Sequence, residues 1–129
     1  MILLDTHALL WWALDPERLS PTAAQQCERM EAAGGYASSI SLWEIGIKVK
    51  RGHLELGITV EELARRIEQG AAVELLPVDV TTWLKSVELA WTHRDPADRV
   101  IVATALSRGL PLLTKDQVLH DLAEVETIW

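Results

Sequence analysis

Short apolar runs alternate with helix-patterned segments along the whole chain, and no other feature restricts its fold as tightly. "MILLD" (1–5) reads as a strand and leads into "THALLWWAL", a helix from Thr6 to Leu14. "SPTAAQQCERMEAAGG" supplies Ser20 as a cap, Pro21 at the first helical position and Gly34 as a stop signal. "YASSI" is a second strand running into "SLWEIGIKVKRG". "TVEELARRIEQG" opens with a capping box, Thr59 to Glu62, and stops at Gly70. "VELLPV" (73–78) predicts a third strand, and a helix follows from Val80 to Thr92. After it come a helix over "DPADRVIVATALSRG", the strand "PLLT", a short helix near "DQVLHDL" and a final strand "VETIW". Strands alternating with helices imply right-handed crossovers and a mostly parallel sheet covered on both faces. The strands are continuously apolar, as strands buried on both faces are.

Bulk properties set the outer limits. The chain has 129 residues, 49% hydrophobic and 24% charged, which suits one globular domain over residues 1–129. No apolar run approaches the ~18 residues of a membrane span, and no basic segment precedes a signal-type core, so no membrane role is expected. One cysteine, Cys27, cannot form an internal disulfide, and a reducing cytoplasm is the expected compartment. The net charge of −7 argues against a generic basic coat for nucleic acid. It leaves room for a nucleic-acid enzyme whose acids gather around cations.

In parallel sheets the ligand crevice lies beyond the carboxyl ends of the strands. Asp5 closes the first strand, Glu44 follows the second by a few residues, and Asp116 lies two residues past Thr114 at the end of "PLLT". "DPADRVIVATA" adds Asp95 and Asp98 at a helix start. Each acid has an ordinary reading. Asp5, Asp95 and Asp116 can cap helices, while Glu44 and Asp98 can complement a helix dipole. Separate caps do not explain why Asp5, Glu44, Asp98 and Asp116 all fall at junctions facing one edge. Without a cation such a cluster repels itself and raises some of its pKa values.

Hard oxygen donors suit Mg²⁺ or Mn²⁺. Two such ions about 4 Å apart would activate a water and stabilise the departing oxygen of a phosphodiester. Thr6 and Thr114 stand beside two of the acids as hydrogen-bond donors. Asp95 reads as the cap and a brace for Asp98, and Arg99 as a neutralising charge or a phosphate contact.

Four segments, "LLDTHALLWW", "SSISLWEIGIKVKRGHLEL", "HRDPADRVIVATAL" and "LLTKD", occur in an order and spacing that resemble the PIN domain, in particular the VapC-type toxin ribonucleases of toxin–antitoxin pairs. The resemblance implies a three-layer α/β/α sandwich with a central parallel sheet of about five strands. It implies a Mg²⁺- or Mn²⁺-dependent endoribonuclease whose catalytic and metal-holding acids are Asp5, Glu44, Asp98 and Asp116, with Thr114 as the hydroxyl before the last acid. It also implies a homodimer and a groove for a cognate VapB-type antitoxin, to which the first helix would contribute Leu10, Trp11 and Leu14. Ala97 departs from the aromatic that relatives carry in this turn, which bears on the shape of the rim.

An RNA substrate needs cationic contacts, for which Lys48, Lys50, Arg51, His53 and Lys115 are candidates; the first three read equally as a solvated helix end. Arg65 and Arg66 are expected to pair with Glu61, Glu62 or Glu68. Trp43 and Trp83 lie in apolar helical patterns and read as core. Trp11 and Trp12 are about 100° apart on a helix, so one of them is expected to be exposed as an interface anchor.

Rival chemistries find little footing. There is no GxxxxGK[ST], GxGxxG or GxSxG, and His7, His53, His93 and His120 form no zinc spacing. His93 is given no ligand role. An aspartyl phosphatase would need an acid two residues after Asp5, where His7 stands. A binding module that has lost catalysis remains the non-enzymatic alternative, and a full acidic set argues against it.

Overall fold

Neighbouring residues of a strand point to opposite faces, and the two leucines of strand β1 (Leu3–Leu4) divide accordingly in the computed structural model, which describes residues 1–129. Leu4 packs with Leu113, Ala37 and Val73 into one apolar cluster, with Leu9, Ala23, Met30, Leu63 and Ile67. Leu3 and Leu112 enter a second cluster with Val100, Ile101, Ala105 and Leu119. Two cores on opposite faces of one sheet make the three-layer α/β/α sandwich expected from the alternation.

The sheet holds β1, β2 (Gly35–Ser38), β3 (Val73–Leu76), β4 (Leu112–Leu113) and β5 (Thr127–Ile128) in the order β3-β2-β1-β4-β5. All four pairings are parallel. The chain runs outward from β1 through β2 to β3, then crosses back to build β4 and β5 on the other side. The topological switch therefore lies between β1 and β4, where crevices form in such sheets.

Helix starts follow their caps. Helix α1 (Thr6–Leu14) is capped by the Asp5 side chain, which accepts from Ala8 N–H. Helix α2 (Pro21–Ala33) is capped by Ser20 and ends at Gly34 with φ +89°, a conformation that favours glycine. Helix α3 spans Ile40–Lys50 and helix α4 Val60–Gly70. Asp79 caps α5 (Val80–Glu88), Asp95 caps α6 (Pro96–Arg108), and Asp116 caps the short α7 (Gln117–His120). Helix α6 is buried on nearly all sides and α5 packs against it.

Several details differ from the expectations. At Thr59 only half of the capping box forms: its hydroxyl accepts from Glu62 N–H, while the Glu62 carboxylate pairs with Arg65 and Arg66 instead. Gly70 stays helical, and Ala71 takes the left-handed position at φ 59°. Helix α5 ends at Glu88 rather than Thr92, because the carbonyls beyond Lys85 turn toward Arg99. Trp43 and Trp83 are not core residues; they are 53% and 46% exposed. Ala97 is buried in the second core cluster and does not shape a rim. No helix is long and apolar enough to cross a membrane.

Candidate active site

The switch point brings Asp5 and Thr114 together. Asp5 ends β1, and its backbone N–H donates to Leu113 O of β4 at 3.1 Å. That bond sets the two strand ends side by side, and the Thr114 hydroxyl donates to Asp5 Oδ2. Thr114 Oγ1 also accepts from Asp116 N–H at 3.0 Å, tying the last acid to the first through one hydroxyl. His120 holds this corner from behind. Its Nε2 lies 2.6 Å from Thr114 O, an acceptor only, so Nε2 carries a proton there; Nδ1 then accepts from the Thr127 hydroxyl at 2.8 Å. Asp116 itself is exposed and accepts from Val118 N–H.

Glu44 reaches the same edge from α3. It is the fifth residue of that helix, past the first turn, so a simple interaction with the helix N-terminus does not account for it. Its Oε1 lies 2.8 Å from the Thr6 hydroxyl, which is also 3.0 Å from Ser41 Oγ. A carboxylate only accepts, so the Thr6 proton goes to Glu44 and Ser41 donates to Thr6. Lys48, one turn further on, pairs with Glu44 Oε2 at 2.8 Å. Lys48 is thus drawn into the acidic site, whereas Lys50 and Arg51 stand exposed at the end of α3.

Asp98 enters from α6. Asp95 Oδ1 accepts from its backbone N–H at 3.1 Å, as a cap does. Its side chain turns to His93, whose Nε2 lies 2.7 Å from Asp98 Oδ2. From the sequence His93 has no ligand role, only that of a rim or capping residue; the signal for this contact is its place five residues ahead of Asp98, across a proline turn that folds the segment back. Ser41 is hidden in a serine-rich stretch. Arg99 is not free to meet a phosphate. All five of its N–H groups donate to backbone carbonyls: Nε to Ser86, Nη1 to Trp91 and His93, Nη2 to Val87 and Leu89, over 2.6–3.3 Å. The guanidinium clamps the 86–93 segment and so places His93 on Asp98.

Two of the acids bear the cost of this crowding. Asp5 is 5% exposed. Burial raises its pKa to about 6, Asp116 and Glu44 push the same way, and the bonds from Thr114 and Ala8 oppose them. Asp98 is also raised to about 6, by burial first and then by Asp95 and Glu44, against the bond to His93. As the side chains stand, no three acids, histidines or cysteines converge within reach of one ion. The donor types nonetheless fit a hard divalent cation. Asp5 and Asp116 line one cavity, Glu44 lies near enough to repel both Asp5 and Asp98, two of the four acids are disfavoured as anions, and Asp116 is exposed.

Comparison with known proteins agrees with this architecture. A family model described as the PIN domain matches residues 2–125. Ribonuclease VapC22 of Mycobacterium tuberculosis is 31% identical over 133 residues, covering 99% of this chain and 98% of the relative. Among solved structures, FitAcB from Neisseria gonorrhoeae superposes with a TM-score of 0.69 at 24% identity, covering 100% of this chain and 97% of the other. A toxin–antitoxin complex from Klebsiella pneumoniae gives a TM-score of 0.65 at 19% identity, again covering 100% and 97%. At such identities the two structures speak to the fold.

Proposed function

The chain belongs to the PIN domain family, and on that premise we propose that it is the ribonuclease toxin of a toxin–antitoxin pair, cleaving RNA at the Asp5–Glu44–Asp98–Asp116 crevice. The observation that carries this reading is the placement of Asp5, buried at the end of β1 and hydrogen-bonded through Thr114 to Asp116, with Glu44 bonded to Thr6, the next residue, and the half-buried Asp98 close enough to repel Glu44, all at the sheet's switch point. Capping alone gives no reason to gather four acids at one edge; a cation-holding site does.

Asp5, Glu44, Asp98 and Asp116 would hold Mg²⁺, with Mn²⁺ able to replace it. Bound there, such a cation supplies charge stabilisation at the scissile phosphodiester and a lowered pKa for the attacking water. Thr114 keeps Asp5 turned to the crevice, Thr6 does so for Glu44, and His93, set by Arg99, does so for Asp98. Lys48 balances Glu44, while Lys50, Arg51 and Lys115 are the cations left to meet RNA phosphates. A cytoplasmic setting goes with such a substrate.

Two apolar surfaces suit two protein partners. On α5, Val80, Trp83, Leu84 and Val87 are all exposed at helical spacing, a stripe without formal charge, and Trp43 lines a pocket beside Trp83. A two-fold interface sets a patch against itself, so an uncharged apolar patch is self-complementary; this face is assigned to a homodimer. On the other side of the sheet, Trp12, Ala13, Leu14, Leu63 and Ile67 line a groove between α1 and α4, with Glu31 and Arg66 on its rim. This groove is assigned to a VapB-type antitoxin that inhibits the enzyme. Trp12 rather than Trp11 lines it.

The test is cleavage of a pool of structured cellular RNAs by purified, antitoxin-free protein in Mg²⁺, in Mn²⁺ and in chelator, beside Asp98→Asn. Discrete fragments that need the cation and disappear in the variant are expected. Folded protein that cuts nothing with either ion would move the chain to the binding-module reading.

A further inference from the structure

Trp11 and Trp12 are adjacent, neither is fully exposed, and they serve different surfaces. Trp12 donates from its indole nitrogen to Glu31 Oε1 at 3.1 Å beside the α1–α4 groove. Trp11 turns to the acids. With Asp5, His7, Lys115 and Asp116 it walls a cavity of about 340 Å³, a size suited to a small ligand. The His7 ring stands 5.5 Å from the indole, inclined at 39°, and Trp129 braces it at 5.7 Å and 60°. Two cations approach the same ring: Lys115 Nζ at 5.7 Å and the Arg18 guanidinium at 6.0 Å from its centroid.

Core packing does not explain a half-buried indole braced at the mouth of an acidic pocket. The charge balance sharpens the point. A chain of net charge −7, with carboxylates in its crevice, has little electrostatic attraction for a polyanion. Aromatic stacking is the contact that does not depend on that charge, and it accepts any base because every base has a π-face. A base can offer its face to an indole only after leaving its own stack, as in loops, bulges and ends.

We propose that Trp11 and His7 form a stacking platform for one unpaired nucleobase beside the bond to be cut, with Lys115 on the adjoining phosphate. This rests on the nuclease reading above.

The experiment measures binding of a short, fluorophore-labelled, single-stranded oligoribonucleotide of mixed sequence in Mg²⁺, using the full chain carrying Asp98→Asn so that binding is read without cleavage. The same strand annealed to its complement is the control. The single strand is expected to bind more tightly than the duplex. Adding Trp11→Leu should weaken it by about tenfold or more, the scale of one base–aromatic stack. Trp11→Phe, which keeps a ring against Trp129, should retain most of the affinity and guards against a Trp11→Leu chain that fails to fold. Lys115→Gln should lower the slope of log affinity against log salt by roughly 0.7, one phosphate contact on a single strand.

Equal single-strand affinity in folded Trp11→Leu overturns the platform, as does tighter binding of the duplex or no binding of the single strand. Wild-type cleavage of RNA, run alongside, separates the two ideas. If wild type cuts while Trp11→Leu binds unchanged, only the platform falls, and Trp11 belongs to a protein contact. If wild type cuts nothing with Mg²⁺ or Mn²⁺, the nuclease reading falls and takes the platform with it.

Discussion

Asp5 holds two positions whose demands conflict. As a cap it accepts from Ala8 N–H at Oδ1 and from the Thr114 hydroxyl at Oδ2; an asparagine has one acceptor oxygen, so it keeps the Ala8 bond and gives up the one from Thr114. As a buried carboxylate it is penalised at neutral pH. Asp5 and Asp98 have folded pKa values of about 6 against an ordinary 3.8. Folding therefore favours their protonated forms. The stability this brings is complete below the unfolded value and is lost as pH rises through the folded one. In chelator, carboxyl protonation should raise the melting temperature on going from pH 7.5 to pH 5, and Mg²⁺ at pH 7.5 should restore the loss. His7, whose pKa burial lowers, works the other way in this window. The difference between wild type and Asp5→Asn isolates the carboxyl. Metal-free Asp5→Asn is expected to be more stable at pH 7.5 by on the order of 1–2 kcal/mol, a few degrees in a thermal melt. It should also lose stabilisation by Mg²⁺ and cleavage. A variant less stable than wild type in chelator would contradict this balance.

At the scale of elements, the connection from α5 to α6 depends on one guanidinium. Lysine has three donors and no planar fork, so it cannot replace the five bonds of Arg99. Arg99→Lys should cost about 2–4 kcal/mol in chemical denaturation. It should also lower kcat more than KM, because His93 is released from Asp98 while the crevice itself is kept. Unchanged stability would show that the carbonyls find other partners.

The helices were largely legible because caps are local. Asp95–Pro96 and Ser20–Pro21 mark their starts in four residues or fewer, and Gly34 marks an end. What one side chain does to a distant backbone is not local. The early end of α5 is set by Arg99 from the next helix, and nothing within Val80–Thr92 announces it. For the same reason Asp5, Asp98 and Asp116 could be singled out by their junction positions and Glu44 as an acid in an otherwise apolar helix start, which the structure moves past the first turn, while His93 and Ser41 could not. Apolar spacing likewise marks a face to be covered without saying by what, which is how Trp43 and Trp83 passed for core.

For the molecule as a whole, two cores enclose one sheet, and the surfaces left over sort by chemistry. The acids sit at the switch point, the α1–α4 groove lies on one layer, and the uncharged α5 face on the other. If that last face pairs with itself, the 14.4 kDa chain should sediment at twice its mass. Val87→Glu would set two carboxylates into an apolar contact and should give a folded monomer. A wild-type monomer, or a dimer indifferent to Val87→Glu, would remove the assignment.

Whether the four acids hold a cation or merely cap helices and pair with neighbours is answered by direct titration. Mn²⁺ binding to the purified chain at pH 7.5, followed by calorimetry or by loss of the free-ion paramagnetic signal, should be saturable. It should be competed by Mg²⁺ and abolished or severely weakened in Asp5→Asn and in Asp98→Asn, both still folded. Absence of saturable binding, or equal binding by both variants, would return these carboxylates to the ordinary work of holding a fold together.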